Sequence, residues 1–159
     1  MSEAVRIADQ LRRSFHGQAW HGPAVLELLA DVSAERAASR PLPNAHSIWE
    51  LVLHIGAWEN VALRWLASEI AELPHLKGED DWPPVRETSA SAWKQAADEL
   101  AGRHDRLVEL VARLSERQLS EKVAGREYSL YFLLHGLAQH NLYHAGQIAL
   151  LKKAVMSGK

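Results

Sequence analysis

Apolar positions recur with the helical period along most of the chain, and no stretch alternates in the two-residue rhythm of a half-buried strand. The last third shows this most clearly. There Leu130, Leu133, Leu134, Leu137, His140, His144, Ile148 and Leu151 fall on one face of a helix starting after Ser129, so two histidines continue an apolar stripe. An earlier segment opens with Ser47 and carries Glu50 three residues on, the pairing of a capping box. The helix it predicts runs to about Ala67, with Leu51, His54, Ile55, Trp58, Val61, Ala62 and Trp65 on one broad face. A third amphipathic run, from about Ser91 to Leu114, groups Trp93, Ala97, Leu100, His104, Leu107, Val111 and Leu114. A first helix over about residues 3–15 makes four long elements.

The connections carry the breakers. A turn at Gly17-Gln-Ala-Trp20-His21-Gly22 follows the first helix, and Pro23 fits the first position of a short helix containing Val25, Leu26, Leu28 and Leu29. Pro74, Gly78 and the run Asp80-Asp81-Trp82-Pro83-Pro84 predict an irregular crossover between the second and third long helices. Crossovers of that length in a compact domain are often functional or mobile. A second connector spans Ser115 to Tyr128. The expected fold is all-α: a four-helix bundle with a short extra helix after helix 1 and a long crossover between helices 2 and 3. A single domain over residues 1–159 accommodates it.

Composition narrows the function classes. The chain has no cysteine, which removes disulfides and thiolate metal sites and is compatible with a reducing compartment. Eighteen basic residues against 20 acidic ones give a formal charge of −2, with no basic block suited to tracking phosphates, so nucleic acid is not expected as a partner. No apolar run is long enough to span a bilayer, and Glu3, Arg6 and Asp9 interrupt any leader-like core, so no membrane partner is expected and the expected location is the cytoplasm. Six tryptophans stand against two phenylalanines; Trp20, Trp58 and Trp65 fit a pocket wall and a core equally well.

The histidines carry the candidate chemistry. His140 and His144 are one turn apart, and His54 lies among apolar side chains on a second helix. Burying an imidazole without a partner costs a few kcal/mol, so each ring is a metal ligand, a hydrogen-bonded core residue, or turned to solvent. As ligands, neutral imidazoles suit zinc, nickel, copper, iron or manganese, and three protein ligands leave coordination positions open, as in catalytic sites. Asn141 follows His140 where a zinc peptidase would have glutamate, which argues against that class. Gln147, one turn beyond His144, either orients a ligand or bridges helices. Glu50 is a candidate proton acceptor near His54, although its place in the capping box already explains it. His104 is a candidate fourth ligand or substrate contact, or a satisfied core residue; His21 is a candidate pocket residue at the mouth of the site. Glu59 lies off the His54 stripe and is expected in solvent, and His46, His75 and His135 are expected in surface or packing roles.

Three runs resemble the DinB-like group, which includes the YfiT-type proteins and bacillithiol-dependent transferases. They are Gly17-Gln-Ala-Trp20-His21-Gly-Pro23, His46-Ser-Ile-Trp-Glu50-Leu-Val-Leu-His54-Ile and His140-Asn-Leu-Tyr-His144-Ala-Gly-Gln147-Ile. The resemblance implies a four-helix bundle in which His54, His140 and His144 bind one divalent metal, and it implies homodimers, but it fixes neither the metal nor the substrate. The expected ion is zinc or nickel first, with manganese or iron as alternatives, and the expected activity is that of a hydrolase or a thiol-dependent transferase acting on a small molecule, with a low-molecular-weight thiol in the second case. A non-catalytic metal or ligand sensor and a structural interaction bundle are the competing classes, because kinship of fold does not choose an activity.

Overall fold

The computed structural model describes residues 1–157. Four long helices, α1 (Glu3–Phe15), α4 (Ile48–Leu66), α5 (Ala90–Ala112) and α7 (Leu130–Ser157), form the bundle. Each of the first three starts where a serine hydroxyl accepts an otherwise unpaired backbone N–H: Ser2 from Val5, Ser47 from Glu50 and Ser89 from Ala92. At α4 the cap is reciprocal, with Ser47 Oγ accepting from the Glu50 amide at 3.2 Å and Glu50 accepting from the Ser47 amide at 2.8 Å. The long helices pack in the ring order α1, α5, α4, α7, each against two neighbours.

The short elements depart in part from the sequence expectation. The predicted short helix is α2 (Val25–Leu29), but its cap is Ala24 in extended conformation, so Pro23 lies outside the helix and does not open it. A second short helix, α3 (Ala34–Ala38), was not expected: its only buried residue is Ala37, too little for an apolar period to show. The later connector likewise contains α6 (Glu116–Ser120). Trp93 Nε1 donates to the Val32 carbonyl at 2.7 Å, tying the α2–α3 insertion to α5. The crossover contains only a 3-10 turn, Gly78–Asp80, and is pinned by buried Leu73, whose amide donates to the Ala124 carbonyl at 3.3 Å. Among the described residues no helix is long and apolar enough to cross a membrane.

The apolar core is split in two by a polar layer. One half packs Leu11, Val61, Leu107, Leu134 and Leu137; the other packs Phe15, Ile55, Leu100, Ala145 and Ile148. Between them on α4 lies buried Glu59, on α5 buried His104, and on α7 buried Asn141 and His144. Polar side chains at this depth require partners, which makes this layer the place to look for chemistry.

Candidate metal centre

His54 on α4 and His140 and His144 on α7 converge across the α4–α7 contact. His140 Nε2 lies 3.0 Å from His54 Nε2 and 3.0 Å from His144 Nε2. One nitrogen from each ring falls within 4.8 Å of the other two. For comparison, ligands about 2.0–2.1 Å from a zinc ion in tetrahedral array stand about 3.3 Å apart. His54 and His144 are buried, whereas His140 is half-buried.

The outer nitrogens settle where the protons sit. His54 Nδ1 faces the Asp81 carbonyl at 2.7 Å, and His144 Nδ1 faces Gln147 Oε1 at 2.6 Å. Both partners accept, so both Nδ1 atoms carry hydrogen and both Nε2 atoms present lone pairs. His140 Nε2 then has at most one proton to offer two acceptors at 3.0 Å. At least one contact sets lone pair against lone pair, a repulsion that a bound cation converts into attraction. Among the described residues His140 Nδ1 has no hydrogen-bond partner.

The crossover supplies the rest of the enclosure. Trp82 stacks on the His54 ring, with centroids 3.8 Å apart and planes 6° from parallel, and His46 stacks on its other face at 3.5 Å. Asp81 Oδ1 lies 3.2 Å from His54 Nδ1 and accepts from Trp58 Nε1 at 2.8 Å. Asp81 and Trp82 therefore position the histidine whose helix lies far from them in sequence. Sequence periodicity could not find them, since the crossover has none; the acidic-Trp-Pro-Pro run was the only signal.

Several sequence expectations meet their outcome here. Gln147 Oε1 lies 2.6 Å from His144 Nδ1 on the same helix, and Trp58 stands beside His140 with ring centroids 6.3 Å apart. Glu50 is not available as a proton acceptor: its oxygens take the Ser47 amide and the Arg40 guanidinium, with His46 Nδ1 at 3.8 Å. Burial raises its carboxyl, but the Ser47 amide and hydroxyl, helped by Arg40, hold it below the ordinary value. His21 is exposed and lines a separate cavity with Gln10, Arg13 and Leu142, whose lining includes none of the three histidines. His104 is no fourth ligand, because Glu59 Oε1 at 2.7 Å and the Leu11 carbonyl at 3.1 Å occupy its two nitrogens. Glu59 is the clearest correction: expected in solvent, it is 0% exposed and also accepts from Asn141 Nδ2 at 3.0 Å. Trp20, a candidate for pocket or core, is fully exposed and lies at the rim of the His21 cavity, while His46 packs on Trp82 as a packing residue would.

All three clustered histidines resist protonation. Burial pushes His140 down to about 3, with the His144 and His54 rings adding to the effect. Burial likewise lowers His54, against the pull of Asp81, and His144, against its bond to Gln147. In the unfolded chain the same rings take up protons near pH 6.5. The metal-free protein therefore loses stability as pH falls below about 6.5 towards the depressed folded values, because the unfolded state binds more protons there. Each ring contributes a slope of up to about 1.4 kcal/mol per pH unit. Urea melts of metal-free protein at pH 7.5, 6.5 and 5.5 should show this loss, and a His54→Ala, His140→Ala, His144→Ala variant should show a flatter profile.

An all-helical bundle that gathers three imidazoles between its second and fourth long helices, each with a nitrogen free to coordinate, defines a helical scaffold able to hold a metal ion. The chain belongs to the DinB superfamily, whose family profile matches residues 19–148 and so includes all three histidines and Gln147. Members of that superfamily bind metals. No curated protein and no solved structure matches the chain.

Proposed function

We propose that the chain is a metal-dependent enzyme acting on a small molecule, with His54, His140 and His144 holding one divalent transition ion, zinc or nickel before manganese or iron. The observation that carries this reading is the convergence of three Nε2 atoms with too few protons to satisfy one another. Three neutral nitrogen donors suit a borderline ion, and among the described residues no carboxylate or thiolate joins the set. When bound, such an ion supplies Lewis acidity, activating a thiol or a water as nucleophile.

The chain's own residues do the positioning. The Asp81 carbonyl and Gln147 Oε1 fix two imidazoles in the coordinating tautomer. Trp82 covers one face of His54 and keeps water from that side. Asp81 is the carboxylate nearest the histidines, and its Oδ1 is committed to Trp58 and His54. With that carboxylate on the outer Nδ1 side of His54 and not beside the converging Nε2 atoms, the arrangement favours a nucleophile that loses its proton readily, such as a low-molecular-weight thiol. Thiol-dependent transfer is thus the preferred reaction class, ahead of hydrolysis.

The test is metal content and turnover together. Untagged protein purified without chelator should carry near-stoichiometric transition metal by plasma mass spectrometry, and the triple alanine variant should carry none while staying helical by circular dichroism. Conjugation of a thiol to an electrophilic substrate should require the metal and vanish in the variant. Protein that takes up no zinc, nickel or manganese even on incubation would refute the proposal. Metal without turnover in either thiol-transfer or ester-hydrolysis screens would favour a sensor or carrier.

A further inference from the structure

A second feature adjoins the histidines. A cavity of about 230 Å³ is lined by Trp58, Tyr128, Phe132, Leu133, Gly136, Leu137 and His140. Every wall except His140 is an apolar or aromatic side chain or a glycine, and no charged side chain lines it. His140 belongs to both the cavity and the three-histidine cluster. Trp58 is held in place by its bond to Asp81, the residue that orients His54. Tyr128 and Phe132 form a tilted aromatic pair with centroids 5.2 Å apart.

We infer that this cavity is the substrate subsite for a neutral aromatic group, seated against Trp58, Tyr128 and Phe132 with its reactive end directed to the three histidines. The inference rests on the proposed metal-dependent function and names the substrate class of that same site. A charged group is disfavoured by cost, because no charged side chain in the lining can pair with it. A ring is favoured over a flexible chain because aromatic walls reward tilted and edge-on ring contacts and a ring loses little freedom on binding. The size agrees: an apolar cavity of about 150 Å³ takes a benzene molecule, so 230 Å³ takes one ring with a short tether. A larger hollow of about 310 Å³ beside His46 and Gln147 mixes Asn44 and Gln147 with leucines and does not include a ring of the cluster.

Gly136 makes the subsite testable. It lines the cavity, and a Cβ built on it meets nothing within 4 Å, so a larger side chain enters open space. Leucine also suits a helix interior better than glycine, which protects the fold of the variant. Two thiols that differ in their apolar part, benzyl mercaptan and ethanethiol, are titrated into the cobalt(II)-loaded protein and followed by the visible absorption of cobalt. The wild type should prefer benzyl mercaptan by at least about tenfold. Gly136→Leu should bring benzyl mercaptan to the level of ethanethiol with cobalt content unchanged, and Gly136→Ala should keep the preference. Equal affinity for the two thiols in the wild type, or a preference that survives Gly136→Leu, overturns the inference. Toluene binding to the metal-free protein, measured by ligand-observed NMR, judges the cavity independently: it should occur in the wild type and be lost in Gly136→Leu. Toluene binding without any uptake of cobalt would count against the metal site and for the cavity. Uptake of cobalt without toluene binding would count the other way.

Discussion

Glu59→Ala is expected to destabilise the protein by about 2–4 kcal/mol, because it leaves buried hydrogen-bonding groups without their partner and opens a void in a packed layer. Both nitrogens of His104 face acceptors, Glu59 Oε1 at 2.7 Å and the Leu11 carbonyl at 3.1 Å. The ring is thus held between two oxygen partners, and the contact is a fully buried His104–Glu59 hydrogen-bonded pair with both side chains 0% exposed. Phe15 stacks on the ring at 4.0 Å, and Asn141 donates to the same carboxylate oxygen. The Glu59–His104 pair thus links α1, α4, α5 and α7 in the layer that divides the two apolar half-cores. Alanine at position 59 strands His104 Nδ1 and the Asn141 amide together, and opens a void besides. Glu59→Leu combined with His104→Phe should cost much less than the two single changes added, since apolar replacement of both partners removes the desolvation penalty along with the attraction. Urea denaturation of the metal-free proteins measures both quantities. A loss below about 1 kcal/mol for Glu59→Ala would show that the layer is not what holds the helices in register.

The same residue shows where sequence reading stops. The α7 stripe was legible because that helix turns one face inward: Leu130, Leu133, Leu134, Leu137, His144, Ile148 and Leu151 are all buried as the period requires. His54 emerged for the same reason, and the capping box placed the start of α4 to the residue. Glu59 did not, because α4 packs against α5, α7 and α3, and its buried arc is wider than the roughly 100° stripe that periodicity detects. Its partner His104 lies 45 residues away on another helix, a pairing that no local pattern encodes. Asp81 and Trp82 were hidden for a different reason. A crossover with almost no regular structure takes its shape from what it lands on, and Trp82 lands between His46 and His54.

His140→Ala is expected to abolish tight metal binding, a larger effect than the roughly 10–100-fold weakening expected of Gln147→Ala, which removes only a hydrogen bond that orients His144. Competition against a chromophoric chelator gives both affinities, and retention of wild-type affinity in His140→Ala would contradict the proposed ligand set. Stability provides a second readout whose sign depends on the metal. An ion bound only by the folded state adds about 4 kcal/mol at a free concentration a thousand times its dissociation constant. The wild type should gain that increment and His140→Ala should not. Without metal the order should narrow or reverse, because His140 brings an unpartnered Nδ1 and crowds its Nε2 against two lone pairs. A residue kept for packing stabilises the protein in both states. One that strains the empty bundle and stabilises only the loaded one is held in place by its function, as expected where activity is retained at the expense of stability.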